Sequence, residues 1–249
     1  MNYESKIRIL KKNPKIIRQL LNFVSTNINF LSTNRLFSYF WNKHNNELAF
    51  QIEWERLFKD NKSKVLEYWR NYRYLDYINK ICEIRDDSRI LDVGCGISTV
   101  LHFVNGVRYG IDPLADEYKL IYPYPEGINI QKGFAEKIPF SDGYFDVVFS
   151  SNVLDHVTDP RKACDEIHRV LKLGCFFVLT VEIFEEKIDR DPSHPHCLTK
   201  NDVHLLLDGK YSIIFEKESP WIGTTSYVLG SKKYYMKYHN KELILISKK

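Results

Sequence analysis

The 249-residue sequence has no long hydrophobic run, no paired-cysteine motif and no strong excess of charge of one sign. No window approaches the roughly 18 apolar residues that a membrane span requires. The first six residues lead into mixed charge, not into the apolar core of a secretion signal. The five cysteines form no CxxC pair, which predicts free thiols in a reducing cytoplasm. The net charge of +4 does not by itself indicate nucleic-acid binding.

The composition and the hydrophobic pattern predict a folded chain in two parts. Hydrophobic residues make up 44% of the chain, which excludes a disordered protein. Helical periodicity predominates before residue 86, and a run without proline or glycine predicts one long helix over residues 62–83. We therefore predict an N-terminal helical extension or cap over residues 1–85. A second domain over residues 86–249 follows, with an insertion at residues 219–240.

The second part alternates short apolar runs with helical segments, as in a parallel sheet covered on both faces. We predict an α/β fold of the Rossmann-like, doubly wound type, with a mostly parallel seven-stranded sheet. The predicted strands cover residues 89–93, 107–111, 128–130, 145–149, 175–181, 211–216 and 242–247, with helices at 98–104, 161–172 and 201–207.

The strongest local signal is a strand that ends in an acid, two glycines and a helix start. It reads Asp92-Val93-Gly94-Cys95-Gly96, and Ser98 or Thr99 follows as a candidate N-cap. Glycine permits a sharp turn and lets a ligand approach the backbone closely. In open parallel sheets, ligands bind beyond the carboxyl ends of such strands. Cys95 has no identifiable basic partner, so we interpret it as a packing residue.

The acids around this turn indicate a cationic nucleoside rather than a pyrophosphate. The dinucleotide fingerprint requires a third glycine, where this chain has Thr99. Asp92 would repel a pyrophosphate and attract an amine, although it could also accept hydrogen bonds from loop amides. Asp112 ends the second strand, where an acid can bind both ribose hydroxyls. Its alternative role is a helix cap before Pro113.

These motifs, in this order, resemble the class I S-adenosylmethionine-dependent methyltransferases, and in particular the small-molecule and quinone-biosynthesis subset. The resemblance covers residues 88–247. The motifs that carry it are Asp92-x-Gly94-x-Gly96, Asp112, residues 133–140, 145–148 and 152–157, and Arg169-Val170-Leu171-Lys172-Leu173-Gly174. The family has an acid for the adenine amino group where this chain has Phe134, and Glu136 or the Ala135 backbone could replace it.

The resemblance implies S-adenosyl-L-methionine as the cofactor and assigns residues to two sides of the site. The implied cofactor-binding residues are Asp92, Gly94, Gly96, Asp112, Pro113, Ala135, Glu136 and Ser151. His156 lies just past the fourth strand and is the candidate general base, with a buttress of the loop as its alternative role. Asp155, His194 and His196 are candidate substrate-binding residues. We expect no metal, because the cluster at 194–197 is too short and isolated for a zinc site.

The predicted function is methyl transfer to an O, N or C nucleophile of a small metabolite or glycan precursor. No large basic surface is present, so nucleic acid is not the expected partner. Two other function classes stay open: a non-catalytic S-adenosylmethionine-binding regulatory subunit, and an NAD-dependent oxidoreductase. A membrane-surface enzyme is a less favoured alternative, based on the basic residues at 11–18. The sequence does not indicate an oligomeric state.

Overall fold

The computed structural model describes residues 35–190, 194–230 and 240–249. The basic segment at 11–18 and residues 231–239 of the predicted insertion lie outside the described residues. The helices are α1 (Arg35–Asp60), α2 (Lys62–Tyr72), α3 (Leu75–Ile81), α4 (Ala115–Ile121), α5 (Pro160–Val170), α6 (Lys200–Leu207) and α7 (Thr224–Leu229). The strands are β1 (Arg89–Val93), β2 (Val107–Asp112), β3 (Ile128–Lys132), β4 (Phe145–Ser151), β5 (Leu171–Ile183), β6 (Ser212–Pro220) and β7 (Lys241–Lys248).

The seven strands form one sheet in the order β3-β2-β1-β4-β5-β7-β6. The first five strands are parallel, and β7 lies antiparallel between β5 and β6. The predicted mostly parallel, doubly wound sheet is thereby confirmed. The strand order reverses at β1, which has β2 on one side and β4 on the other. Crevices beyond the strand ends at such a reversal are the usual ligand sites of open α/β sheets.

Apolar layers cover both faces of the sheet. On one face, Trp54 and Phe58 of α1 and Ile78 of α3 pack into a core that includes Leu101 and Tyr118. On the other face, α5 and α6 pack against side chains of β4, β5 and β7. The helices before β1 therefore share a core with the sheet, and Gln51 of α1 contacts the turn that follows β1.

Two predicted helices differ from the structure. The run at 62–83 is broken into α2 and α3 at Arg73 and Tyr74, and Tyr74 has a left-handed backbone (φ +56°) that a continuous helix cannot contain. Arg73 instead forms a buried ion pair with Glu242 of β7, at 2.8 Å. The predicted helix at 98–104 is only a 3₁₀ turn, Val100–His102.

Residues 219–240 combine the end of β6 with α7, as far as the structure describes them. The Tyr68 hydroxyl of α2 donates to the Ile222 carbonyl at 2.6 Å, so this segment contacts the N-terminal helices. Within the part of the chain that the structure describes, no helix has both the length and the apolar character needed to cross a bilayer.

Candidate active site

The glycine turn after β1 is held by backbone hydrogen bonds to β2. The N–H groups of Gly94 and Cys95 both donate to the Ile111 carbonyl, at 2.8 and 3.1 Å. Gly94 (φ +71°) and Gly96 (φ +53°) have left-handed backbones that side chains rarely adopt. A Cβ on Gly94 would lie 2.4 Å from a methyl group of Val153. The turn therefore requires glycine at this position for both conformation and space.

Asp92 lies at the base of this turn and is 3% exposed. Its Oδ2 accepts a hydrogen bond from the Thr99 hydroxyl at 2.6 Å. Thr99 Oγ also accepts from the Leu101 N–H, so the predicted N-cap is Thr99. Burial raises the pKa of Asp92 to about 7, although the Thr99 hydrogen bond lowers it. The other oxygen, Oδ1, is buried and has no hydrogen-bond partner among the described residues.

Asp112 ends β2 and lies beside the same turn. It accepts two backbone hydrogen bonds, from Gly96 N–H at 3.2 Å and from Leu114 N–H at 2.9 Å. A carboxylate has about four acceptor positions, so about two are left for a ligand. Burial, together with the smaller contributions of the nearby Glu47 and Asp92 charges, raises the pKa of Asp112 to about 7. Asp92, Gly94, Gly96 and Asp112 together define the strand-end crevice.

Buried side-chain oxygens without a hydrogen-bond partner also occur at the carboxyl end of β4 and at the position that pairs with it in β5. They belong to Ser150, Ser151, Asn152 and Thr180, among the residues that the structure describes. Asn152 has a positive φ of +58° and donates its N–H to the Thr180 carbonyl at 2.8 Å. Unpaired buried oxygens are costly, and a polar ligand at this edge of the sheet would supply partners for them. Of these four residues, only Ser151 is predicted from the sequence, because serine and threonine at strand ends have no distinctive spacing.

The N-terminal helix α1 contributes side chains that the sequence did not indicate. Gln51 is 8% exposed, and its Oε1 accepts a hydrogen bond from Ile97 N–H at 3.2 Å. Its amide nitrogen donates to Glu47 at 3.0 Å. From the other side, the Tyr124 hydroxyl donates to the Gly96 carbonyl at 2.7 Å. No motif marks these residues, since they reach the turn through tertiary packing alone.

The predicted adenine-side residues take different positions. Ala135 is buried, whereas Phe134 is 53% exposed and Pro113 is exposed beside Asp112. Glu136 points toward the segment after β4, where its Oε1 accepts from Thr158 N–H at 2.6 Å. One oxygen of Glu136 thus already has a structural role in joining the two loops.

A second polar group, the His–Asp cluster, consists of Asp155, His156 and His194. Asp155 is fully buried, and its Oδ1 lies 3.8 Å from His156 Nε2 with no hydrogen-bond partner. The rings of His156 and His194 are 4.3 Å apart between centroids, although 38 residues separate them in sequence. The ligand atoms of all three residues lie within 4.8 Å of one another, so the cluster could hold a metal ion or transfer a proton.

The loop after β5 is anchored beside this cluster by two residues. Arg190 forms ion pairs with Asp155 Oδ2 at 3.1 Å and with Glu182 at 2.7 Å. His196 donates its backbone N–H to the Asp155 carbonyl at 3.4 Å, and its Nε2 lies 2.9 Å from the Val157 carbonyl. His196 therefore holds the loop in place, and Arg190 fixes the orientation of the buried carboxylate.

Comparison with known proteins identifies the domain to which this geometry belongs. A family model described as "Methyltransferase domain" matches residues 91–179, which include both the strand-end crevice and the first two residues of the His–Asp cluster. Residues 91–179 therefore match a methyltransferase domain. The family uses S-adenosylmethionine, and the residues present fit that group. The spare acceptor positions on Asp112 and the unpaired Oδ1 of Asp92 suit a nucleoside with hydroxyl and ammonium donors.

Individual relatives support this methyltransferase assignment. The "Uncharacterized methyltransferase YcgJ" of Bacillus subtilis is 31% identical over 134 residues, which cover 46% of this chain and 53% of YcgJ. The crystal structure of YcgJ superposes with a TM-score of 0.58 at 22% identity, over 72% of this chain and 99% of that structure. The "Cycloartenol-C-24-methyltransferase" of Arabidopsis thaliana is 31% identical over 134 residues, covering 49% of this chain and 39% of the plant protein. The chain thus matches about half or less of these curated relatives' length.

Proposed function

We propose that this protein transfers the methyl group of S-adenosylmethionine to an O, N or C nucleophile of a small-molecule acceptor. The observation that carries the proposal is the pair of buried carboxylates, Asp92 and Asp112, on either side of a glycine turn at the carboxyl edge of the sheet. Such a pair favours a ligand with hydroxyl and cationic groups over one with a pyrophosphate. The bound cofactor would supply a methyl group that is already activated on a sulfonium.

The protein's own contribution is then binding and alignment, since no protein nucleophile is needed. Asp112 would accept the ribose hydroxyls at its two remaining acceptor positions. Asp92 Oδ1 would accept a hydrogen bond from the methionine part, and the Ser151 hydroxyl would accept or donate one. Ala135 and Pro113 would border the adenine side, together with Glu136.

On the acceptor side, we propose His156 as the general base. A base of this kind must reach the acceptor proton, and His156 follows β4, which is the neighbour of β1 in the sheet. Asp155 would orient the imidazole, because Arg190 fixes the carboxylate while its Oδ1 faces His156 Nε2. His194, whose ring lies 4.3 Å from that of His156 between centroids, and His196 would border the acceptor.

The acceptor that we propose is a small metabolite or glycan precursor. One relative is named a cycloartenol methyltransferase, so a related domain is associated with a small apolar molecule. We also propose residues 1–85 as a helical cap on a methyltransferase domain at 86–249. The five free cysteines favour the cytoplasm as the compartment.

The test has a binding arm and a turnover arm. Titration calorimetry with S-adenosylmethionine and with NAD⁺ should show binding of the first and not of the second, whereas the reverse result would indicate an oxidoreductase. Formation of S-adenosylhomocysteine is then measured over a panel of hydroxyl, amine and activated-carbon acceptors. Binding without turnover on any acceptor would favour a regulatory subunit. If EDTA abolishes turnover and a divalent metal restores it, the His–Asp cluster binds a metal ion and does not act as the proposed acid–base group.

A further inference from the structure

Helix α1 places a glutamine against the strand-end crevice. The Gln51 amide nitrogen lies 3.1 Å from the point where a Cβ on Gly96 would stand, so this side chain covers the open face of the glycine. Its Oε1 accepts the Ile97 N–H, which belongs to the same turn. A ligand that approaches the Gly96 backbone must therefore meet Gln51 or displace it.

One helical turn earlier, α1 brings a third carboxylate to the crevice. Glu47 is half-buried, accepts a hydrogen bond from Gln51, and lies near enough to Asp112 to raise the pKa of that carboxyl. Facing carboxylates destabilise the ligand-free site. Hydroxyl donors or a positive charge placed between them would remove this cost, whereas a pyrophosphate would increase it.

The position of these two side chains is fixed by the core. Trp54 and Phe58, at 4% and 0% exposure, anchor the same side of α1 three and seven residues after Gln51. Residues at this spacing lie on one face of a helix. The contact of Gln51 with the turn is therefore a consequence of helix packing and not a chance arrangement of a surface side chain.

We propose that Glu47 and Gln51 are cofactor-binding residues supplied by the N-terminal extension, which complete the ribose side of the strand-end crevice opposite Asp112. This inference rests on the proposed function. Glu47 would accept a hydrogen bond from the nucleoside. The Gln51 amide would form a hydrogen bond with the cofactor and would give up one of its present hydrogen bonds, to Ile97 or to Glu47. The extension would then favour a nucleoside without phosphate groups. The sheet itself contributes only Asp92 and Asp112 to this selectivity.

The test is calorimetric titration of S-adenosylhomocysteine into the full-length protein and three variants. Glu47→Gln and Gln51→Ala should each weaken binding about tenfold, the loss expected for one hydrogen bond that involves a charged or buried group. Glu53→Gln, on the exposed side of the same helix, is the matched control and should bind within twofold of the parent. Glu47→Gln changes only one atom of a half-buried side chain, so it tests the proposal even if Gln51→Ala fails to fold.

Hydrogen exchange provides a second readout that does not depend on affinity. S-adenosylhomocysteine should slow amide exchange in residues 47–58 of the parent protein, and less so in Glu47→Gln. Unchanged or tighter binding by both variants would overturn the proposal while the proposed function stands. Failure of the parent protein to bind S-adenosylhomocysteine would overturn both.

Discussion

The affinity for S-adenosylhomocysteine should rise with pH between pH 6 and pH 8, because Asp112 must ionise to bind the ribose. Burial raises the pKa of Asp112 to about 7 in the free protein, against the pull of hydrogen bonds from Leu114 and Gly96. A ligand that donates two hydroxyl hydrogen bonds favours the carboxylate over the carboxylic acid. Binding should therefore release a proton wherever Asp112 is protonated in the free protein.

The size of the effect follows from the ionised fraction. With a pKa of about 7, roughly a tenth of the Asp112 carboxyl is ionised at pH 6 and roughly nine tenths at pH 8. If only the ionised form binds, the apparent affinity scales with that fraction and should increase about tenfold over this range.

The same raised pKa sets the sign of the effect on stability without ligand. The folded protein holds the Asp112 proton more tightly than the unfolded chain, whose carboxyl has a pKa of about 3.9. The contribution of Asp112 to the free energy of unfolding is thus fully present below pH 4, and it is lost as the pH rises to about 7. Ligand-free stability and ligand affinity should change in opposite directions between pH 5 and pH 7.

The assay is titration calorimetry with S-adenosylhomocysteine from pH 6 to pH 8, repeated in two buffers of different ionisation enthalpy to count released protons. The α-amino group of the ligand also titrates near pH 8, so the parent protein is compared with Asp112→Asn at each pH. Asp112→Asn should bind more weakly and lose the additional pH dependence. Equal pH dependence in both proteins, or no proton release at pH 6, would show that ionisation of Asp112 does not control binding.

Three further substitutions test the turn, the chemistry and the fold. Gly94→Ala should abolish cofactor binding and cost about 1–3 kcal/mol in free energy of unfolding, since it combines backbone strain with a clash against Val153. His156→Ala should lower kcat by about 100-fold or more while S-adenosylhomocysteine affinity stays within twofold. Arg73→Met should cost about 3–5 kcal/mol in free energy of unfolding, because it leaves the buried Glu242 carboxyl without its partner.

Each of these substitutions has a control within the chain. Gly209 has a similar φ of +69°, and no other group lies within 4 Å of the position that a Cβ would take there, so Gly209→Ala measures backbone strain without the clash. Equal losses for the two glycine variants would show that Val153 is unimportant. His168→Ala, on α5, is the control and should leave kcat unchanged. If His156→Ala has the same kcat as the parent protein, His156 has only a structural role. For Arg73, recovery of stability in the double variant Arg73→Met, Glu242→Leu would show that the cost comes from the unpaired charge.

The sheet could be predicted from sequence because its signals are local. Most of the seven strands contain a short apolar run, and the acid–glycine turn after β1 specifies both its own geometry and the site beside it. Asp92 and Asp112 were found because strand ends can be located in sequence. The N-cap at Thr99 could be predicted for the same reason, because it lies directly after the glycine turn in the sequence.

The structural features that could not be predicted from the sequence depend on contacts between residues that are distant in the chain. The helix at 62–83 breaks where Arg73 pairs with Glu242, 169 residues away, and no propensity scale includes that ion pair. Gln51 reaches the glycine turn only because Trp54 and Phe58 anchor α1 on the sheet. The contact between the rings of His156 and His194 depends on the loop after β5, and neither residue's neighbours in sequence indicate it.

The assignment of the strand-end crevice to the nucleoside of S-adenosylmethionine can be decided by a crystal structure grown with S-adenosylhomocysteine. We predict electron density with the ribose hydroxyls on Asp112 and the methionine part beside Asp92, over the glycine turn. A structure with the ligand bound elsewhere, or with the crevice still closed by Gln51 at saturating ligand, would show that the assignment is wrong.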